Sequence, residues 1–193
     1  MTAMLSLSLH QIEMIPWYSF GAFWLLAAFR VKPTKSIEPA AARIFTVVLL
    51  ATAFYLMFSR ELPFVWLNRR FIPANSAFPE VGTALTYVGV AIAIWARVAL
   101  GSNWSARVMV KEGHELVRSG PYAYVRHPIY TGLLLAITGT TLIIGEWRGV
   151  IAIIIVTVAH SLKAKREEAA MNAEFGETYQ QYRKTTGFLF PGL

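Results

Sequence analysis

The run of long apolar segments constrains this chain more than any motif in it. A helix that crosses roughly 30 Å of hydrocarbon needs about 20 mostly apolar residues. Segments of this kind extend from about Met14 to Phe29, from Arg43 to Ser59 and from Val81 to Leu100. A fourth begins at Pro128, a residue suited to a first helical position because its missing N–H is not needed there, and continues to about Ile144. After Gly145-Glu146-Trp147-Arg148-Gly149, a fifth runs from Val150 to about Ala159 and then continues without Gly or Pro to Phe175. This pattern predicts one long final helix, its first half in lipid and its second half in water. The predicted fold is an all-α integral membrane protein with about five transmembrane helices, the last two forming a helical hairpin with a cytoplasmic helix extension.

Composition agrees with that class. Charged residues make up 15% of the 193, against about a quarter in soluble domains, and the mean hydropathy is +0.47. The apolar runs are continuous rather than alternating, which excludes a β-barrel. Met1 to Glu13 holds no Lys or Arg, so the first segment is expected to be a retained helix rather than a cleaved signal. No cysteine is present, which excludes disulfides, thiolate metal sites and a cysteine nucleophile. No ligand set for a metal is expected.

Lysine and arginine orient the predicted helices. One side collects Arg30, Lys32, Lys35, Arg43, Arg97, Arg107, Lys111, Arg118, Arg126, Lys163, Lys165, Arg166, Arg183 and Lys184, and the other only Arg60, Arg69, Arg70 and Arg148. The positive-inside rule then places the N-terminus outside and the C-terminus in the cytoplasm. The net charge of +7 is mainly topological, and its dispersal along membrane flanks argues against nucleic-acid binding. Compactness suggests a prokaryotic inner membrane. Oligomeric state is not encoded in any readable feature.

Two polar stretches on the cytoplasmic side are richer in special residues than a connection requires. The first includes His114-Glu115-Leu116-Val117, then Gly120-Pro121-Tyr122 and Arg126-His127-Pro128-Ile129-Tyr130; the second, from Lys163 to Tyr182, includes Glu167 and Glu168. A polar loop that enters a helix through His-Pro presents backbone N–H groups at a helix N-terminus, a place able to hold an anionic or polar ligand group.

The string Gly120-Pro121-Tyr122-x-x-x-Arg126-His127-Pro128-x-Tyr130-x-Gly132, with His114-x-Leu116-Val117 before it and Arg166-Glu167-Glu168 and Phe175-Gly176-x-x-Tyr179-x-x-Tyr182 after it, resembles the isoprenylcysteine carboxyl methyltransferase family and its phospholipid N-methyltransferase relatives. The resemblance covers about half the chain, from roughly Arg97 onward. Residues 97–193 are the expected methyltransferase-like, cofactor-binding part of a single membrane domain, and residues 1–80 carry no signature. The resemblance implies an enzyme that takes S-adenosylmethionine from the cytoplasm and a lipophilic acceptor from the bilayer. On this basis His114, Glu115, Leu116, Val117, Tyr122, His127, Pro128, Ile129 and Tyr130 line the cofactor pocket, Arg107 makes a more distant loop contact, and Glu167 and Glu168 supply acids. Lys163 sits where these enzymes tend to have an arginine that orients the acceptor carboxylate; lysine supplies the charge without the planar fork. Arg97 either snorkels toward the interface or reaches the acceptor head group. Lys163 and Arg97 are thus the candidate catalytic residues.

The chemistry is compatible with this reading. Methyl transfer from a sulfonium is an in-line displacement, so positioning and desolvation are the protein's main tasks. Other acceptors, a phospholipid amine or a small lipophilic thiol, stay open, as do a non-catalytic lipid-binding scaffold and, more remotely, a sterol reductase. Blander roles also exist: Glu167 and Glu168 could pair with Lys163 and Lys165 on a solvated helix face, His127 could merely cap the fourth helix, and His160, Tyr179 and Tyr182 read as packing residues.

Overall fold

The computed structural model describes residues 9–28, 39–59, 62–73, 76–101 and 116–192, with side chains from residue 12 onward. The expected helices are all present: α1 (Leu9–Ala28), α2 (Ala40–Phe58), α3 (Phe78–Leu100), α4 (Pro128–Ile144) and α5 (Trp147–Thr185). Helix α4 has the bounds expected from its apolar run. Helix α3 starts slightly earlier than its run, because Pro79 and Glu80 fit a first turn, where amide N–H groups lack partners and favour an acid. Short 3-10 turns at Val65–Asn68 and Gly120–Ala123 complete the described elements.

By length and composition α2, α3 and α5 can each cross a membrane, and α4 is a shorter apolar helix of 17 residues. The apolar part of α5 gives way at Lys163 to a charged extension, which lies outside the membrane-spanning segment. The extension breaks at Gly176, whose φ of 50° and ψ of −123° are not helical. Among the described residues a Cβ there would meet nothing within 4 Å, and the positive φ is what favours glycine.

Helices α3 and α4 pack with their backbones almost in contact. A Cβ on Gly82 would lie 2.5 Å from the Gly139 carbonyl oxygen, and one on Gly89 would lie 2.5 Å from that of Gly132. The two glycine pairs are seven residues apart on each helix and run in opposite directions, which fixes an antiparallel register two turns long. Small residues permit this approach in lipid, where no hydrophobic force drives helices together. Between the glycine pairs, the buried Thr86 hydroxyl donates to the Gly82 carbonyl and faces Thr140 at 3.4 Å. Trp17 of α1 joins the same layer by donating its indole N–H to the Thr140 hydroxyl at 3.0 Å.

The remaining helices close around this pair. The edges of Phe20, Phe54 and Phe58 surround the Trp17 ring, and the core continues through Ala53, Met57, Leu134, Ile137, Ala152 and Val156. At the end of the bundle where α4 turns into α5, the segment around Arg70 pairs with the turn: the Phe71 amide donates to the Gly145 carbonyl and the Trp147 amide to the Arg69 carbonyl. Arg148 is buried there. It pairs with Glu146 at 2.7 Å and donates to the carbonyls of Leu56 and Ser59, so it closes the exposed C-terminal end of α2.

The glycine contacts set a test of this packing. Gly89→Ala and Gly132→Ala should each lower the thermal denaturation midpoint in detergent, because overpacking costs about 1–3 kcal/mol and exceeds the propensity gain of about 1 kcal/mol from replacing glycine in a helix. Gly21→Ala, where an added Cβ meets nothing within 4 Å, should leave the midpoint unchanged or raised. Equal midpoints for all three variants would rule out the close approach.

Candidate functional site

The polar cluster forms where the N-terminus of α4 meets the charged extension of α5. Pro128 begins α4 and is fully buried, which holds His127 just before the first turn with its side chain turned inward. The two imidazole nitrogens of His127 lie 3.5 Å from Glu167 Oε2 and 3.5 Å from Glu168 Oε1. One turn along α4, the Tyr130 hydroxyl donates to Glu167 Oε1 at 2.7 Å. Lys163 stands one turn before Glu167 and reaches the same oxygen at 3.9 Å, with its ammonium 5.8 Å from the Tyr130 ring centre. A single carboxylate is thus shared by an imidazole, a phenol and an ammonium.

The Tyr130 ring lies between two imidazoles. His127 stacks on it at 5.6 Å with a 10° tilt, and His160 at 4.5 Å with a 14° tilt. His160 therefore packs, as expected, but it packs on a site residue. Sequence reasoning did not place it in the site, although it precedes Lys163 by three positions and Glu167 by seven, which puts all of them on one helix face. Arg126 was also missed as a site member. Its Nε donates to Glu168 Oε1 at 2.5 Å, and its Nη1 donates to the carbonyls of Arg183 and Thr186. Its adjacency to His127 in the loop was the available signal.

Other expected residues fall nearby or elsewhere. Val117, Tyr122 and Ile129 pack with Ala96 and Trp24 in an apolar layer beside the end of α3, and Leu116 is half-buried in the strand of chain leading to it. Tyr122 receives a hydrogen bond on its carbonyl from the Tyr182 hydroxyl at 2.7 Å, the expected packing of tail against loop. Arg97 does not snorkel: it is buried and donates to the Gly101 carbonyl at 3.0 Å, capping its own helix. Arg166 faces α2 through the Thr46 hydroxyl. Arg107, His114 and Glu115 lie outside the described residues.

Electrostatics follow from this arrangement. Burial works against a charged His127, but the Glu167 and Glu168 carboxylates outweigh it and raise the imidazole above its ordinary value. Burial likewise opposes a charged Glu168, yet His127 and Arg126 hold it down to about 2. Glu167 is also lowered, by His127, Lys163 and Tyr130 against the effect of burial. The cluster is therefore stable as charged pairs. The contribution of His127 is complete below the ordinary histidine value of about 6.5 and is lost as pH rises through the raised one. That of Glu168 is complete above its ordinary 4.5 and is lost as pH falls toward about 2. Denaturation midpoints in detergent should accordingly fall as pH rises above neutrality, and His127→Gln should flatten that fall. The same slope in both proteins would exclude the imidazolium pair.

Comparison with known proteins bears on this site directly. The model of the isoprenylcysteine carboxyl methyltransferase family matches residues 82–173, from the first glycine of the α3–α4 contact to a point just before the Gly176 break. A protein-S-isoprenylcysteine O-methyltransferase of Schizosaccharomyces pombe is 36% identical over 92 residues, covering 46% of this chain and 39% of the relative. The Bacillus subtilis protein YpbQ is 38% identical over 108 residues, covering 56% of this chain and 61% of the relative. The chain thus spans less than two thirds of either relative. The solved structure of a eukaryotic intramembrane Ras methyltransferase superposes with a TM-score of 0.64 at 20% identity, over 98% of this chain and 69% of the other, and so shares its fold. The stretch that matches this family model, residues 82–173, builds both the glycine contact and the His127–Glu167 cluster.

Proposed function

We propose that this protein is a membrane methyltransferase that uses S-adenosylmethionine to methylate a lipophilic acceptor, an isoprenylcysteine-type carboxylate. The observation that carries the reading is the sharing of Glu167 among His127, Tyr130 and Lys163 at the start of α4. The charge distribution supports a cytoplasmic position for the site and for the C-terminus, with the N-terminus outside.

The residues fit the methyl donor. Its ammonium and ribose hydroxyls call for carboxylates, which Glu167 and Glu168 supply. Its carboxylate calls for a donor, and His127 Nε2 is a buried nitrogen with no hydrogen bond among the described residues; the Glu168 oxygen 3.5 Å away is beyond good hydrogen-bond range. Leu116, Val117, Tyr122, Pro128 and Ile129 supply the apolar side of the pocket, and the family resemblance assigns further cofactor contacts to Arg107, His114 and Glu115. Residues 97–193 thus act as the cofactor-binding part of one membrane domain.

When bound, the cofactor supplies an electrophilic methyl group on a cationic sulfur. A carboxylate acceptor attacks without losing a proton, so the chain has no general-base task. Lys163 aligns the acceptor by charge, Arg97 stiffens the end of α3 beside the apolar layer, and the buried cluster excludes water. A phospholipid amine is the second reading. It is favoured by the pairing of Lys163 with Glu167, which weakens the lysine's hold on an anionic acceptor.

Equilibrium binding of radiolabelled S-adenosylmethionine to the purified protein in detergent tests the site. Loss of a charge-assisted hydrogen bond costs about 1.5–3 kcal/mol, so Glu167→Ala or His127→Ala should weaken binding about 10- to 100-fold. Unchanged affinity in both would overturn the assignment, and absence of binding by the unaltered protein would overturn the function. Transfer of labelled methyl groups to a membrane extract, followed by identification of the product, separates carboxylate from amine acceptors.

A further inference from the structure

Beyond the cluster around Glu167, the tail of α5 and the loop before α4 form a second, shallow polar feature. A cleft of about 340 Å³, lined by Arg126, Gln180, Arg183 and Lys184, opens to the surface. This is at the small end of ligand-sized clefts, roughly 300–1,000 Å³. Three cations line it, and the carboxylate that contacts them, Glu168, is shared by Arg126 Nε at 2.5 Å and Arg183 Nε at 3.5 Å. Among the described residues, the cleft therefore keeps positive charge after its internal pairing.

Charge placed only to orient a membrane protein would be exposed and mobile. Arg126 is neither, for its side chain is 9% exposed and its guanidinium is held by Glu168 and by the carbonyls of Arg183 and Thr186, beside the Phe188 ring. The tail is fixed against the loop by the pairing of Val125 with Gly187 and by the Tyr182 hydroxyl on the Tyr122 carbonyl. Such a cleft is preorganised, and little order must be created on binding.

Its depth is set by α4. At 17 residues and about 1.5 Å per residue, α4 is shorter than the roughly 30 Å hydrocarbon layer. Arg126 precedes its first residue by only two positions, so the cleft lies at the end of an apolar helix, beside the membrane–water boundary. Tyr124 and Phe190, 65% and 53% exposed, extend from the same paired segments, and aromatic side chains of this kind favour the membrane–water boundary.

We propose that this cleft binds the phosphate of an anionic phospholipid from the adjacent leaflet, with Arg126 as the fixed cation and Arg183, Lys184 and Gln180 as the movable contacts. The proposal does not depend on the methyltransferase reading. Native mass spectrometry of the protein released from micelles doped with equal amounts of phosphatidylglycerol and phosphatidylcholine tests it. The expected result is at least fivefold greater retention of phosphatidylglycerol, lost in the double variant Arg183→Gln/Lys184→Gln, whose altered side chains are exposed. Gln180→Glu, which places a negative charge in the cleft and leaves every cation intact, should abolish the preference as well. Equal retention of the two lipids would overturn the proposal, as would a preference that survives both variants. Displacement of phosphatidylglycerol by inorganic phosphate at the same concentration would overturn the lipid as the natural occupant.

Discussion

Backbone contact between α3 and α4 is the constraint on which the rest of the molecule depends. In water, apolar side chains would hold two helices together; in lipid they have no such preference, and close approach at small residues replaces it. The glycine pairs Gly82–Gly139 and Gly89–Gly132 fix both the distance and the register of these helices. Register decides the height of Pro128, and Pro128 decides where His127 and Tyr130 meet the extension of α5. A structural contact in the bilayer thereby positions a polar cluster at its surface.

The cluster itself shows how a few carboxylates are used in a chain whose eleven acids are all glutamate. Glu167 and Glu168 are neighbours on one helix, but they serve different partners. Glu167 faces His127, Tyr130 and Lys163, whereas Glu168 turns to Arg126 and Arg183. His127 touches both and links the two halves. Breaking one of these pairs leaves the remaining charge buried without its partner, which costs more than an exposed ion pair would.

Much of this was legible in the residues because the strongest signals were local. Apolar runs located the helices, Pro128 marked the start of α4 to the residue, and the absence of Gly and Pro from 159 to 175 foretold a helix that breaks at the next position, Gly176. The proximity of His127 to Glu167 and Glu168 follows from the family resemblance of the strings rather than from spacing, since nothing in a single sequence states which loop meets which helix face. Arg126 and His160 escaped for the same reason. One looked like a flanking charge and the other like core, and only the packing of α5 on α4 gives each its partner. Arg97 illustrates the converse: a cation at a helix end has several satisfactory solutions, and the Gly101 carbonyl is a local one that competes with snorkelling.

The buried indole of Trp17 carries a consequence for how the molecule is made. Its hydrogen-bond partner, Thr140, lies 123 residues further along the chain, and Arg148 reaches carbonyls of α2 across 89 and 92 residues. During synthesis α1 and α2 enter the bilayer well before those partners exist. Until α4 is made, the indole N–H lacks this partner, so the buried contact of α1 can close only once the C-terminal hairpin is in place.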